Sequence, residues 1–178
     1  MIKFFLSISV ILSLYQVPAY VISDNSSSVK FKIKNLGVTV TGSLKGLKGK
    51  SLFDPNNLSA SSIESTVDIN TINTGIDLRD DHLKEGEYFD AKNYPQLKFV
   101  SKKIVASGKS GGYIVTGLLT IKSTTREVSF PFSASSEGNG YRLKGEFKLN
   151  RRDYGVGGSS FTLSDNLTVI LDVLAARS

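Results

Sequence analysis

The residues with the most chemical potential stand together: Arg79, Asp80, Asp81 and His82 in succession, with Lys84, Glu85 and Glu87 close behind. His82 is the chain's one histidine, and there is no cysteine. A zinc–thiolate or iron–sulfur centre, a thiol nucleophile and a multi-histidine metal site are therefore excluded within one chain. An imidazole beside two carboxylates could in principle serve as a general base, but a lone histidine in a charged loop reads as a hydrogen-bonding residue rather than a catalyst. Two tripeptides imitate a phosphate loop, Gly49-Lys50-Ser51 and Gly108-Lys109-Ser110. The glycine required five positions earlier is Leu44 in one case and Lys103 in the other. Neither lies between a strand and a helix, so both read as turns.

The elements that must position these residues are almost all strands. Val29, Phe31 and Ile33 alternate with Lys30, Lys32 and Lys34; Val128, Phe130, Phe132 and Ala134 alternate with Glu127, Ser129 and Ser133. Period-two alternation also runs through Ile63, Val67 and Ile69, and through Tyr141, Leu143, Phe147 and Leu149. Less regular apolar runs at 38–44, 47–53, 97–106, 113–122 and 167–174 bring the expectation to eight or nine strands. Asp54-Pro55-Asn56-Asn57, 108–112 and Gly138-Asn139-Gly140 separate them as turns. Only the stretch from Gly75 to Tyr94 resists a strand reading, and one or two short helices are expected there.

Many antiparallel strands with one apolar face must stack as a sandwich or close into a barrel, and closure removes exposed edges. The bulky inward set, with Phe31, Phe99, Tyr113, Phe130, Phe132, Tyr141 and Phe147, favours a barrel. An eight-stranded barrel is either filled by its own side chains or holds one small ligand, and patterning leaves both readings open.

Residues 1–19 read as a signal peptide: Lys3, an apolar run from Phe4 to Leu14, and Val17-Pro18-Ala19 at a cleavage site. The run is too short for the roughly 20 apolar residues of a membrane span. A buried first strand or an uncleaved anchor is the alternative. Residues 20–27 read as a polar leader and 28–178 as one barrel domain. The 178-residue chain carries 22 basic and 16 acidic side chains, a balance of +6. Without Lys3 the balance is 21 to 16, or +5. Lysines 30, 32, 34, 45, 48 and 50 are spread over strand exteriors without exposed stacking aromatics, which argues against a nucleic-acid partner.

A longer ordered pattern carries more information than any of these pieces. Arg79-Asp80-Asp81-His82-Leu83 is followed by Tyr88-Phe89-Asp90, Tyr94-Pro95 and Phe99. It is flanked by Val29-Lys30-Phe31, Leu36-Gly37, Gly117-Leu118-Leu119-Thr120-Ile121 and Asn150-Arg151-Arg152-Asp153-Tyr154-Gly155. In this series, over about residues 28–174, the chain resembles the YceI-like family. The resemblance implies an all-β, lipocalin-like antiparallel barrel of about eight strands and no enzymatic activity. It also implies a polyisoprenoid chain, of the polyprenyl phosphate or isoprenoid quinone type, as carried ligand with no further cofactor, and a periplasmic or secreted location. Transient membrane contact and a homodimer are compatible with it. Lys122-Ser123 departs from the His-Gly common at that turn in the family.

On this reading Phe31, Ile33, Val67, Ile69, Phe99, Leu119, Ile121, Phe130, Phe132, Phe147 and Leu149 line the lumen, and Arg79, His82, Arg151 and Arg152 are candidate contacts for a head group. The structural alternative for the arginines is a salt-bridged loop, Arg79 with Asp80 and Arg151 with Asp153. The alternative for the whole is a filled barrel with a structural or surface-interaction role.

Overall fold

The computed structural model describes residues 17–177. The signal peptide expected over residues 1–19 lies outside the described residues except for its last three positions.

Nine strands run β1 (Ala19–Ser23), β2 (Ser28–Asn35), β3 (Val38–Leu52), β4 (Ser62–Asn73), β5 (Gln96–Ala106), β6 (Gly112–Ile121), β7 (Thr124–Glu137), β8 (Gly140–Asn150) and β9 (Leu163–Ala176). One helix, α1 (Asp77–Lys84), stands between β4 and β5. From β2 the order runs β9-β8-β7-β6-β5-β4-β3 and back to β2, every neighbouring pair antiparallel, so the sheet closes as a barrel of eight. The ninth strand does not widen it. β1 and β2 occupy the same gap between β3 and β9: β1 pairs with Lys48–Leu52 and Ala175–Ala176, β2 with Val38–Leu44 and the rest of β9. They act as one interrupted strand.

The residues expected as a polar leader, 20–27, are thus corrected. Tyr20 and Ile22 are buried core and belong to β1, because a five-residue strand needs only two inward apolar side chains to be held. Only 24–27 is irregular, and it has a structural task. β3 was expected as two runs, 38–44 and 47–53, but it is one strand with a bulge at Gly46, whose φ is +72°. The bulge leaves two backbone N–H groups without strand partners. Asp24 accepts both, from Gly46 and, at 2.7 Å, from Leu47. Ser27 Oγ accepts the N–H of Leu174 at 3.0 Å. Asp24→Ala should therefore lower stability by about 1 kcal/mol, the usual cost of losing such a cap, measurable by urea unfolding with unchanged m-value.

The two ends of the barrel differ. At the end holding the β3–β4, β5–β6 and β7–β8 connections, Phe53 is buried and meets Tyr113, Phe132 and Tyr141 edge-on, with ring centroids 5.2, 6.1 and 5.1 Å away. Tyr20 closes on Tyr141 at 5.5 Å. These rings plug the lumen. Burial, and then the neighbouring Tyr20 phenol, pushes the Tyr141 hydroxyl above its ordinary titration range. At the other end β4 pairs with β3 only as far as Ser43. The first residues of β3, Val38 to Gly42, project beyond that pairing by about 16 Å at the usual strand rise. The β4–β5 connection, with α1, crosses this end.

Candidate functional site

Between the aromatic plug and α1 lies a cavity of about 410 Å³ inside the barrel. That is within the range of small-molecule sites, and it answers the question left open by patterning: the barrel is not filled by its own side chains. The wall is aliphatic and aromatic. Phe130 stacks on Phe147 with centroids 4.2 Å apart and planes at 12°, and Phe99 leans on Phe130 at 5.7 Å. Phe31, Ile33, Val67, Leu119, Ile121 and Leu149 border the space as expected, and Phe132 forms part of its floor. The Phe31 ring lies over Gly42, its cross-strand partner; a Cβ there would come within 2.2 Å of the ring. Gly42→Ala would therefore push Phe31 toward the lumen.

Two expected residues do not border the cavity. Ile69 is fully buried, but it packs with Leu44, Val67, Ile72 and Ala91 under the segment that follows α1. The alternation that placed it in the lumen assumes an unbroken pleat, and β4 changes register against β3 beyond Asp68. Arg152 is exposed and 3.9 Å from Asp165. Residues 151–154 form one 3-10 turn, in which positions three apart share a face; Arg151 and Tyr154 turn inward, Arg152 and Asp153 outward.

Arg151 borders the cavity but has no N–H to offer a ligand. A guanidinium has five donors, and all five are taken: by the carbonyls of Ser164 (3.0 Å), Val156 (2.8 Å), Gly158 (3.0 Å) and Leu163 (3.4 Å) and by the Asp165 carboxylate (2.7 Å). The structural alternative therefore holds for Arg151, with Asp165 in place of the expected Asp153; Asp153 lies 4.0 Å from Arg126 instead. The expected Arg79–Asp80 pair is also replaced. Arg79 Nε donates to Thr74 Oγ1 at 2.7 Å, and that hydroxyl donates in turn to buried Asp80 at 2.5 Å. Arg79 Nη2 donates to the Thr74 carbonyl at 2.9 Å. Arg79 Nη1 has no hydrogen-bond partner among the described residues, and Arg79 borders the cavity. His82, exposed one turn later, meets the edge of Tyr88 at 5.0 Å and borders the same cavity. No group of three or more metal-ligating side chains occurs among the described residues.

The departure at Lys122-Ser123 is accommodated. Lys122 takes φ +54° in the two-residue turn between β6 and β7, and its ammonium donates to the carbonyls of Gly86 (3.0 Å) and Gly155 (3.2 Å). It ties the α1 segment to the β8–β9 connection across the mouth. Beneath them, burial pushes the Tyr154 phenol above its ordinary range, with Arg126 acting in the opposite sense and Asp153 adding to the rise.

Sequence reading places a strand at 167–174 but none of its residues in the lumen. Leu163, Leu167, Val169, Leu171 and Val173 all border the cavity, but Ile170 and Leu174 occupy the outward positions between them, so the period-two signal is erased.

The family model that matches is the YceI-like domain, over residues 20–175. A UPF0312 protein of Pseudomonas paraeruginosa is 29% identical over 156 residues, covering 84% of this chain and 81% of that one. Among solved structures, BcnA of Burkholderia cenocepacia superposes with a TM-score of 0.82 at 27% identity, over 87% of this chain and 99% of that one. The Campylobacter jejuni YCEI protein gives 0.70 at 26%, over 78% and 85%. A polyisoprenoid binding domain from Saccharophagus degradans gives 0.71 over 89% and 98%, at 14% identity, a likeness of fold alone. The match over nearly all described residues, on the closed barrel and the Arg79–Leu83 motif at its mouth, places this chain in the YceI-like family.

Proposed function

We propose that this protein binds and carries a lipid, holding a polyisoprenoid chain in the barrel lumen with its polar end at the mouth, and that it does so without a covalent step. The observation that carries the reading is the apolar cavity of about 410 Å³, closed by the Phe53 cluster at one end and reaching Arg79 and His82 at the other. Each buried CH₂ contributes about 0.8 kcal/mol, so ten of them give a gross gain of roughly 8 kcal/mol before the ordering cost of binding. Tail burial alone can supply useful affinity. The head group then needs only orientation, and the unpartnered Nη1 of Arg79, with His82, suits a phosphate or a quinone carbonyl. The solved Saccharophagus degradans polyisoprenoid binding domain, alike in fold, supports the ligand class. Export to the periplasm or beyond belongs to the same proposal, supported by Lys3 and the apolar run ahead of Pro18. A lumen that the protein's own side chains leave open disfavours the filled-barrel alternative.

Extraction of the purified protein with organic solvent, followed by mass spectrometry, tests the reading. A polyisoprenoid recovered near one per chain is the expected result. A lipid-free extract, together with no uptake of added prenol, overturns it.

A further inference from the structure

The exposed large apolar side chains are not scattered. Leu36, Val38, Ile76, Leu78 and Phe161 all lie at the α1 end of the barrel, on the β2–β3 turn, the start of α1 and the β8–β9 connection. Leu36 is 75% exposed and Leu78 83%. The backbone N–H of Leu36 donates to the carbonyl of Thr162 at 2.8 Å, so the turn and the Phe161 loop are joined. The other exposed large apolar residues, Val21, Ile114 and Leu118, lie in strands away from this end and are all less exposed than the rim set.

Leu36 is the most informative of them. With Gly37 it forms a two-residue hairpin turn in which both residues have positive φ, +51° and +78°. Such turns take Asn or Asp at the first position, because a branched side chain is strained there. Here a leucine is held in a strained conformation and left in water at once, and neither folding nor solubility gains by it. Behind this rim, Lys32 and Lys34 on β2 and Lys148 on β8 face outward opposite threonines, with no ion pair among the described residues. The acidic side chains of this end are Asp77, Asp81, Glu85 and Glu87, on α1 beside Leu78 and on the segment after it, and Asp153 and Asp165, which face Arg126, Arg151 and Arg152.

We infer that this rim docks onto an anionic lipid bilayer, Leu36, Val38, Leu78 and Phe161 entering the interface and Lys32, Lys34 and Lys148 meeting phosphate head groups. The inference rests on the proposed lumen site and adds where its ligand comes from. The rim is at the end where Val40 of β3 and Leu83 of α1 border the cavity, so a tail entering there from a bilayer passes from one apolar medium to another. Passage through water would expose each CH₂ at a cost of about 0.8 kcal/mol. Apolar anchors together with a basic belt are the combination that gives reversible interfacial binding.

The test is flotation of the full chain with phosphatidylcholine/phosphatidylglycerol vesicles, alongside uptake of farnesol from aqueous solution. The expected result is flotation of the wild type. Leu36→Asn with Leu78→Ser should reduce it at least tenfold, with farnesol uptake unchanged; asparagine suits the turn, so the fold is not put at risk. Lys32→Glu with Lys34→Glu should weaken binding and flatten its salt dependence, and Ile114→Ser should have no effect. A wild type that takes up farnesol but does not float, or a Leu36/Leu78 variant that floats equally well, overturns the docking inference and leaves the lumen site standing. A wild type that takes up no farnesol removes both.

Discussion

Phe147→Asp is expected to yield protein that retains no lipid and is largely unfolded at 25 °C. Phe147 stacks on Phe130 at 4.2 Å and borders the lumen. Losing a packed phenyl ring costs about 3–5 kcal/mol. A carboxylate placed against Phe130 in this apolar wall adds several kcal/mol more unless it protonates. The total is comparable with the 5–15 kcal/mol stability of a typical domain. Circular dichroism and a urea midpoint measure the loss. Because an unfolded variant says nothing of the lumen, Leu119→Trp is its companion: it adds apolar volume to a space that is open, so the fold should survive. Extracted lipid should fall several-fold. Wild-type lipid content in folded Leu119→Trp would show that the ligand is elsewhere.

Arg151→Met should cost about 3–5 kcal/mol while leaving the ligand's own contacts intact. Methionine can occupy the space of the arginine stem, so the loss measures the guanidinium. Four backbone carbonyls and Asp165 would each lose a donor, and the carbonyl of Val156 is in a buried contact. The β8–β9 connection should loosen first, visible as faster amide exchange over residues 151–164. Arg152→Met, at the neighbouring exposed position, should change stability by less than about 0.5 kcal/mol. Equal effects of the two substitutions would contradict the division of inward and outward positions in the 3-10 turn.

These two arginines show where sequence reading works and where it stops. Adjacent in the chain and equal in chemistry, they are separated only by the phase of a single turn, which no composition or spacing reveals. The strands that faced two different solvents were legible: β7 and β8 alternate with the sharpness expected of a wall with water on one side and hydrocarbon on the other. β9 was legible as an apolar run but its inward face was not, because Ile170 and Leu174 interrupt the outward face of Thr168 and Asp172. Ile69 was assigned to the lumen by a period that the register change in β4 interrupts. Tyr20 and Ile22 were missed because two apolar positions in a short stretch are below what alternation can detect. The motif from Arg79 to Phe99 was legible as an ordered pattern, but its bonding was not: Thr74, five residues before Arg79, is the hydroxyl that joins Arg79 to Asp80.

The interrupted strand has a kinetic consequence. β1 and β2 are the first strands of the chain and β9 is the last, and their pairing, Val21 with Ala176 and Val29 with Leu171, is the seam that closes the barrel. Every neighbouring pair without β9, from β2–β3 round to β7–β8, can form while β9 is still unmade, yet none of them encloses a lumen. Contacts of such sequence separation form slowly. The cavity therefore arises in one late step, when the chain's end returns to its beginning, and a partly synthesised chain stays open and unable to seal a ligand inside.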